Sequence, residues 1–420
     1  MAAKRKRGTT RRRKTTTAAK RATSKKKAAS SRAKPAPKKA GAKPTGVKRA
    51  GMGKAGMKRA GARKAGARKA GAKKPGARKA GAKNAAPKKS VAPKKTTRPT
   101  AAARAPAKRV IAVVGATGSQ GGGLARAILN DPPSGFTVRA ITRNPDSPAA
   151  RELARLGAQV VRADAQDRAS LERAFAGAYG AYCVSFFWAH MSPEREKAEA
   201  SAMAQAAKRA GIRHAIWSTL EDTRQFVPLG DTHIPTIMGH YKVPHFDAKA
   251  EGDAYFAALG VPTTYLVTSF YWDNFIHFGM NPKPGADGAL ELAIPMAAAK
   301  LCGIAAEDIG KCALGIFERG KEYIGKRVGI AGGCLTGAEM AASLGRALGK
   351  PVRYVAVPFD VYRGLGFPAA VELGNMFQID AEFQDRFMAA RDLREARALN
   401  PALQSFDAWA ERHKTEIPTG

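Results

Sequence analysis

The stretch VIAVVGATGSQGGGLARAIL, residues 110–129, constrains the fold of this chain more than any other. Val110 to Val114 is a run of β-formers. Gly115, Ala116, Thr117, Gly118, Ser119, Gln120 and Gly121 follow at once, and LARAIL then has helical character. A strand, a glycine turn and a helix in that order form the phosphate-binding opening of a dinucleotide fold. Gly115 permits the tight turn, Gly118 lets backbone approach a pyrophosphate, and Gly121 lets helix and strand pack closely. The helix N-terminus then presents free N–H groups to phosphate.

The alternation continues downstream. A strand is predicted at residues 136–142, then a helix in AARELARLG, a strand in QVVRADAQD, a helix around residues 170–175 and a strand in AYCVSFF. A helix over residues 194–210 and the strand HAIWST complete at least five βα units. The fold class is therefore α/β, a doubly wound Rossmann-type parallel sheet. From about Tyr271 a smaller C-terminal α/β lobe is expected, with a loop at residues 282–287 and helices over 335–348, 360–365, 369–377 and 406–413. The expected organisation is a tail at 1–108, a Rossmann domain at 109–270 and a lobe at 271–420, with a pocket between the last two.

The tail is set apart by charge. Residues 1–109 hold 40 Lys and Arg and no acid, so they account for the whole net charge of +40, and the remaining chain carries 33 bases and 33 acids. They also contain no Phe, Trp, Tyr, Leu or Ile, so they cannot build a core. From Ala50 the chain runs in pentapeptides such as AGARK, with Gly at 51, 56, 61, 66, 71, 76 and 81. Ordering five backbones costs roughly 5–10 kcal/mol, and no repeat offers a large side chain whose burial would return ~1.5–3 kcal/mol. A disordered tail is expected. Its partner class is nucleic acid, bound through phosphates without sequence reading and weakened by salt. With no aromatic to stack on bases, single-strand or sequence-specific recognition has no support. In composition the tail resembles those of linker histones. It implies a nuclear location in a eukaryote and a nucleoid-associated cytoplasmic one in a bacterium.

No apolar run reaches the roughly 20 residues of a membrane span, so no membrane partner is expected. The N-terminus lacks the apolar core of a secretory signal and the apolar face of a transit peptide. Cys183, Cys302, Cys312 and Cys334 show no ligand spacing and read as buried thiols of a reducing compartment. No metal site is expected, because His233, His240 and His245 carry neither ligand spacing nor a carboxylate pattern.

Cofactor type is read at the end of the second strand. There Arg143-Asn144-Pro145 stands where NAD-binding folds place an acid for the ribose hydroxyl, and a base suits the 2′-phosphate of NADP(H). An exposed turn arginine is the plainer reading. Asp164, at the end of the third strand, suits either the adenine amino group or the cap of the next helix.

These stretches, with VVGATGSQGG, VRAITRNP, GAYGAYCVSFFW, WSTLED, HFDAKAEGDAYF, SFYWDNF and LGFPAAVELGNMF, resemble the NmrA-like family of atypical short-chain dehydrogenases, in particular its NADP(H)-sensing animal members. The resemblance covers most of the roughly 310 residues after the tail. It implies cofactor contacts at Gly115 to Gln120, Arg143, Asn144, Asp164, Ala165, Val184, Ser185, Phe186, Lys249, Tyr271, Trp272, Asp273 and Asn274. At Phe186 the chain departs from the family's Asn.

Ordinary short-chain dehydrogenases use a Tyr as general acid with a Lys four residues on, so that the two share a helix face and the cation lowers the phenol pKa. Here the window reads His245-Phe-Asp-Ala-Lys249, so the Lys is present and His stands for Tyr. Ser218 fits the catalytic serine. Lys249 can hold the nicotinamide ribose, and His245 can either protonate a carbonyl or simply pack beside the cofactor. Tyr241 lies four residues before His245, but Pro244 breaks a shared helix. The aromatics Phe186, Phe187, Trp188, Phe270, Tyr271 and Trp272 suit either a pocket wall or ordinary core. Three functions compete: an NADP(H)-sensing regulator tethered to DNA, an NAD(P)H-dependent reductase of a quinone or carbonyl, and a nucleoid protein with a passenger domain. The intact glycine turn and Arg143 speak against the last. A protein partner or a homodimer is compatible with the first.

Overall fold

The computed structural model describes residues 107–420. The expected disorder and repeats of the basic tail lie outside the described residues. Seven parallel strands form the main sheet: β1 (Arg109–Val114), β2 (Phe136–Thr142), β3 (Gln159–Arg162), β4 (Gly180–Cys183), β5 (His214–Thr219), β6 (Thr263–Val267) and an edge strand from the later chain. Between them run α1 (Ser119–Asn130), α2 (Pro148–Arg155), α3 (Arg168–Phe175), α4 (Pro193–Arg209) and α5 (Pro244–Ala258).

Alternation along β1 builds the two faces. Ile111 and Val113 enter one apolar cluster with Leu124 of α1, whereas Ala112 and Val114 enter another with Leu171 and Met203 from α3 and α4. β1 pairs with β2 on one side and β4 on the other. The strand order reverses between β1 and β4, so ligands are expected beyond the carboxyl ends of those two strands.

The lobe interleaves with this layer. It contributes β7 (Phe270–Tyr271), α6 (Asn274–His277), β8 (Lys283–Pro284), β9 (Leu290–Ile294), β10 (Lys300–Ile304) and α7 (Ala306–Arg319). Then come β11 (Arg327–Gly329), β12 (Gly333–Thr336), α8 (Gly337–Leu348), β13 (Val352–Ala356), α9 (Phe359–Arg363) and α10 (Ala370–Glu382). β11 pairs with β6 as the seventh strand of the main sheet, and α7 packs on α1. The boundary expected at residue 270 is therefore crossed twice by the Rossmann layers. Glycines allow the α1–α7 approach: a Cβ on Gly123 would lie 2.6 Å from the Glu307 carbonyl oxygen, and one on Gly310 would strike the Leu124 amide. The remaining lobe strands form two three-stranded sheets, ordered β12-β10-β7 and β13-β9-β8, over a core that includes Trp272, Phe275 and Trp409.

The expectation of four thiols is corrected. Cys302 of β10 and Cys334 of β12 face each other in the antiparallel ladder and form a disulfide. Their sequence separation of 32 carries no motif, and only strand register brings them together. Cys183 and Cys312 are free and buried, and burial pushes the Cys312 thiol up to about 12. No helix among the described residues is long and apolar enough to cross a membrane.

Candidate functional site

Gly115 leaves β1 with φ +65°, a conformation only glycine adopts without strain. A Cβ on Gly121 would fall 2.5 Å from the Gly115 carbonyl oxygen, so this position closes the helix onto the turn. Gly118 is the N-cap of α1 and offers no side chain to its amides. The first turn of α1 therefore keeps N–H groups for an anionic ligand, at the switch point of the sheet.

Gln120 turns inward. Its Oε1 accepts from the hydroxyls of Tyr182 and Ser218, the latter at 2.8 Å, and its Nε2 donates to the Tyr271 hydroxyl. Ser218 is 1 % exposed, so the candidate catalytic serine braces the glycine turn from beneath. Trp272 is equally withdrawn, packed against Phe406 and Trp409. The Asp273 carboxylate accepts the Ala306 amide at 2.8 Å, at the start of α7, and Asn274 opens α6. Of the four residues Tyr271 to Asn274, Tyr271 touches the turn through Gln120, while Trp272 and Asp273 serve packing and capping.

Arg143 and Asn144 are exposed beyond β2. Asn144 organises this bend, its Oδ1 accepting the Asp146 amide at 3.1 Å, and Arg143 has no ion-pair partner among the described residues. Asp164 and Ala165 are half-buried beyond β3. The cap of α3 is Asp167, accepting the Ser170 amide at 3.2 Å, and not Asp164. The helix-capping alternative for Asp164 thus falls to its neighbour. The Asp164 carboxylate accepts the Gln166 amide at 3.0 Å through Oδ1, and its backbone carbonyl accepts the Asp167 amide at 2.9 Å.

Val184, Ser185 and Phe186 follow β4, with Phe186 55 % exposed. Opposite them, α5 starts at Pro244, which leaves Tyr241 outside the helix with its hydroxyl held by Lys197 at 3.1 Å. Lys249 Nζ reaches Glu196 Oε1 at 2.7 Å, Ser185 Oγ at 2.8 Å and the Ser185 carbonyl at 3.2 Å. His245 is turned by Glu372, whose Oε1 takes both Nδ1 at 2.6 Å and the His245 backbone N–H at 2.8 Å. Its ring lies 4.6 Å from that of Trp188. An imidazole fixed at Nδ1 can donate or accept a proton only through Nε2.

Four residues here escaped the sequence, Glu196, Glu199, Glu372 and His190. Glu196 and Glu199 sit on the buried stripe of α4 with Ala200, Met203, Ala204 and Ala207. Acids at apolar helix positions were the available signal. Glu372 had none, lying 127 residues from His245. His190 joins the two acids, its Nε2 3.6 Å from Glu196 and 3.8 Å from Glu199. Burial lowers the His190 pKa against the pull of Glu196, and burial with the Glu196 charge raises that of Glu199. His233 instead pairs with Asp231 and Glu382. Among the described residues, the triad of His190, Glu196 and Glu199 has ligand types and spacing for a metal, whereas His233, His240 and His245 do not converge.

The description "NmrA-like family" matches residues 107–410 of the chain. An NmrA-like family domain-containing oxidoreductase, FrzB of a Cladobotryum species, is 29% identical over 306 residues, covering 67% of this chain and 86% of the relative. The corresponding oxidoreductase cpsB of Aspergillus campestris is 28% identical, covering 64% and 82%. Among solved structures, the negative transcriptional regulator NmrA in complex with NADP is 26% identical, with a TM-score of 0.60 and coverage of 73% of this chain and 95% of that one.

Proposed function

The chain belongs to the NmrA-like family, and from that premise we propose that it is an NADP(H)-binding regulatory protein, a redox sensor with little or no turnover, tethered to nucleic acid by residues 1–109. The open glycine turn and an exposed Arg143 with no ion-pair partner among the described residues support a bound dinucleotide with a 2′-phosphate. The related regulator that binds NADP supports the same cofactor. The observation that carries the regulatory reading is the spent catalytic set. Ser218 is buried on Gln120, His245 stands for Tyr, and Lys249 is fully engaged by Glu196 and Ser185. A sensor needs its two redox forms to favour different states, since equal affinity for both shifts nothing. The tail supplies 40 positive charges for phosphate contacts, which implies a place on chromatin or on a nucleoid.

A reductase of a quinone or carbonyl is the second reading, favoured by the oxidoreductase relatives and by a His245 oriented by Glu372. One experiment separates the two: NADPH affinity of the full chain is compared with NADPH consumption across a quinone and carbonyl panel. Turnover above roughly 1 s⁻¹ belongs to an enzyme and refutes the sensor; tight binding without consumption refutes the reductase. For the tether, gel shifts of the full chain and of residues 109–420 are run at ~50 and ~200 mM salt. Engagement of 6–10 phosphates predicts a loss of about 10³ to 10⁵ in affinity over that range. Equal binding by both proteins refutes the tether.

A further inference from the structure

Cys302 and Cys334 stand at the two ends of one excursion of the chain. Between them run α7 and β11, the two elements that the later chain returns to the Rossmann layers. α7 packs on α1, the helix that starts in the glycine turn, and β11 completes the main sheet beside β6. The base of the excursion is the antiparallel ladder of β10 and β12, which the disulfide crosses. On its other edge β10 pairs with β7, Gly303 with Phe270 and Ile304 with Tyr271. The Tyr271 hydroxyl accepts from Gln120 of the glycine turn. The turn is thus supported from two sides, by α7 and by Tyr271, and both supports adjoin β10 close to the cross-link.

The ladder itself is lightly built. It runs from the pair Lys300–Thr336 to the pair Gly303–Gly333, and the Gly332 amide continues it onto the Gly303 carbonyl at 2.8 Å. Glycine weakens a strand interior. The disulfide joins positions 32 residues apart, and a closure of that length removes many conformations from an opened excursion.

The two sulfurs differ in access. β12 is an edge strand on which Cys334 is half-buried, whereas Cys302 is buried on the central strand β10. Cys183 and Cys312 are buried elsewhere, and burial raises both thiols, which keeps them protonated and unreactive. A protein placed on chromatin or on a nucleoid sits among thiol reductants, where disulfides are transient and redox-sensing rather than permanent.

We propose that Cys302–Cys334 is a reversible dithiol–disulfide site that sets dinucleotide affinity. Oxidised, it clamps the base of the α7–β11 excursion and keeps the glycine turn competent to bind. Reduced, it lets the excursion loosen, and affinity falls. This rests on the reading of the protein as a dinucleotide binder in a reducing compartment. The reductant is a dithiol. One of its thiolates bonds to Cys334 Sγ, the Cys302–Cys334 bond breaks, and Cys302 leaves with the electron pair. The second thiol of the reductant then displaces Cys334. Two electrons and two protons have passed to the cysteine pair, and the reductant ends as a disulfide.

The full chain is prepared with the bond intact and after treatment with dithiothreitol, and native-state labelling with N-ethylmaleimide is read by mass. NADPH affinity is measured on both forms by calorimetry, well below their melting temperatures. The expected result is two further labels on the reduced protein and an affinity lower by roughly tenfold, as for a competent fraction of about one tenth. Reoxidation with oxidised glutathione restores the affinity, and saturating NADPH opposes reduction by the same factor. The double variant Cys302→Ser, Cys334→Ser should bind like the reduced protein and ignore both reagents. Should that variant not fold, the comparison of oxidised and reduced wild type still decides. A merely structural disulfide would lower the melting temperature on reduction and leave the affinity unchanged. Equal affinity of the two forms, or a bond that dithiothreitol does not open in the folded protein, overturns this proposal alone. A response to dithiothreitol that persists in the folded double variant overturns the assignment to this pair. Failure of both forms to bind NADPH overturns the dinucleotide reading with it.

Discussion

Glu372 Oε1 accepts both the ring Nδ1 and the backbone N–H of His245, at 2.6 and 2.8 Å. One carboxylate oxygen thereby ties the first turn of α5 to α10 of the lobe. Glu372→Ala leaves two buried donors without an acceptor, at about 1–3 kcal/mol each. The melting temperature should fall by several degrees, and Glu372→Gln, which keeps an acceptor, should fall less. Equal melting of Glu372→Ala and wild type would show the contact to be energetically idle.

The α1–α7 crossing admits no side chain at Gly310. In Gly310→Ala the new methyl meets the Leu124 amide, and overpacking of this kind costs about 1–3 kcal/mol. Since α1 carries the glycine turn, NADPH affinity should drop together with the melting temperature. Gly230→Ala, where a Cβ meets nothing within 4 Å, is the matched control and should change neither.

Arg143 is exposed at the end of β2 with no ion-pair partner among the described residues. Arg143→Ala should weaken NADPH binding roughly 10- to 100-fold, the value of a charge-assisted contact of about 1.5–3 kcal/mol. NADH binding should be untouched. Fluorescence titrations with the two nucleotides make the comparison, and an equal loss for both would remove the 2′-phosphate role.

Asp380 of α10 is buried, which pushes its carboxyl up to about 7, with Arg391 opposing the shift and Glu221 adding to it. In the unfolded chain an Asp titrates near 4. Between roughly pH 4 and 7 the folded state therefore holds a proton that the unfolded state has lost. This group's contribution to stability is full at the acid end and is lost as pH rises through 7. Urea unfolding at pH 5, 7 and 8 should show declining stability, and Asp380→Asn should flatten the decline. A slope unchanged by that substitution would place its origin elsewhere.

Much of the strand, glycine turn and helix at the switch point of the sheet was legible in the sequence because its determinants are local. Strand alternation and glycine sterics operate within the twenty residues from Val110, and Arg143 and Lys249 follow from position in one strand end and one helix turn. The charge boundary of the basic tail needed only counting, since all 40 uncompensated cations lie in residues 1–109. Tertiary structure alone decided the partners. Ser218 belongs to Gln120, His245 to Glu372, Lys249 to Glu196, and Cys302 to Cys334. β11 returns from the lobe segment to pair with β6 at the edge of the main sheet. Such pairings depend on which side chains are desolvated together across long separations, and neither hydrophobic period nor turn chemistry records that.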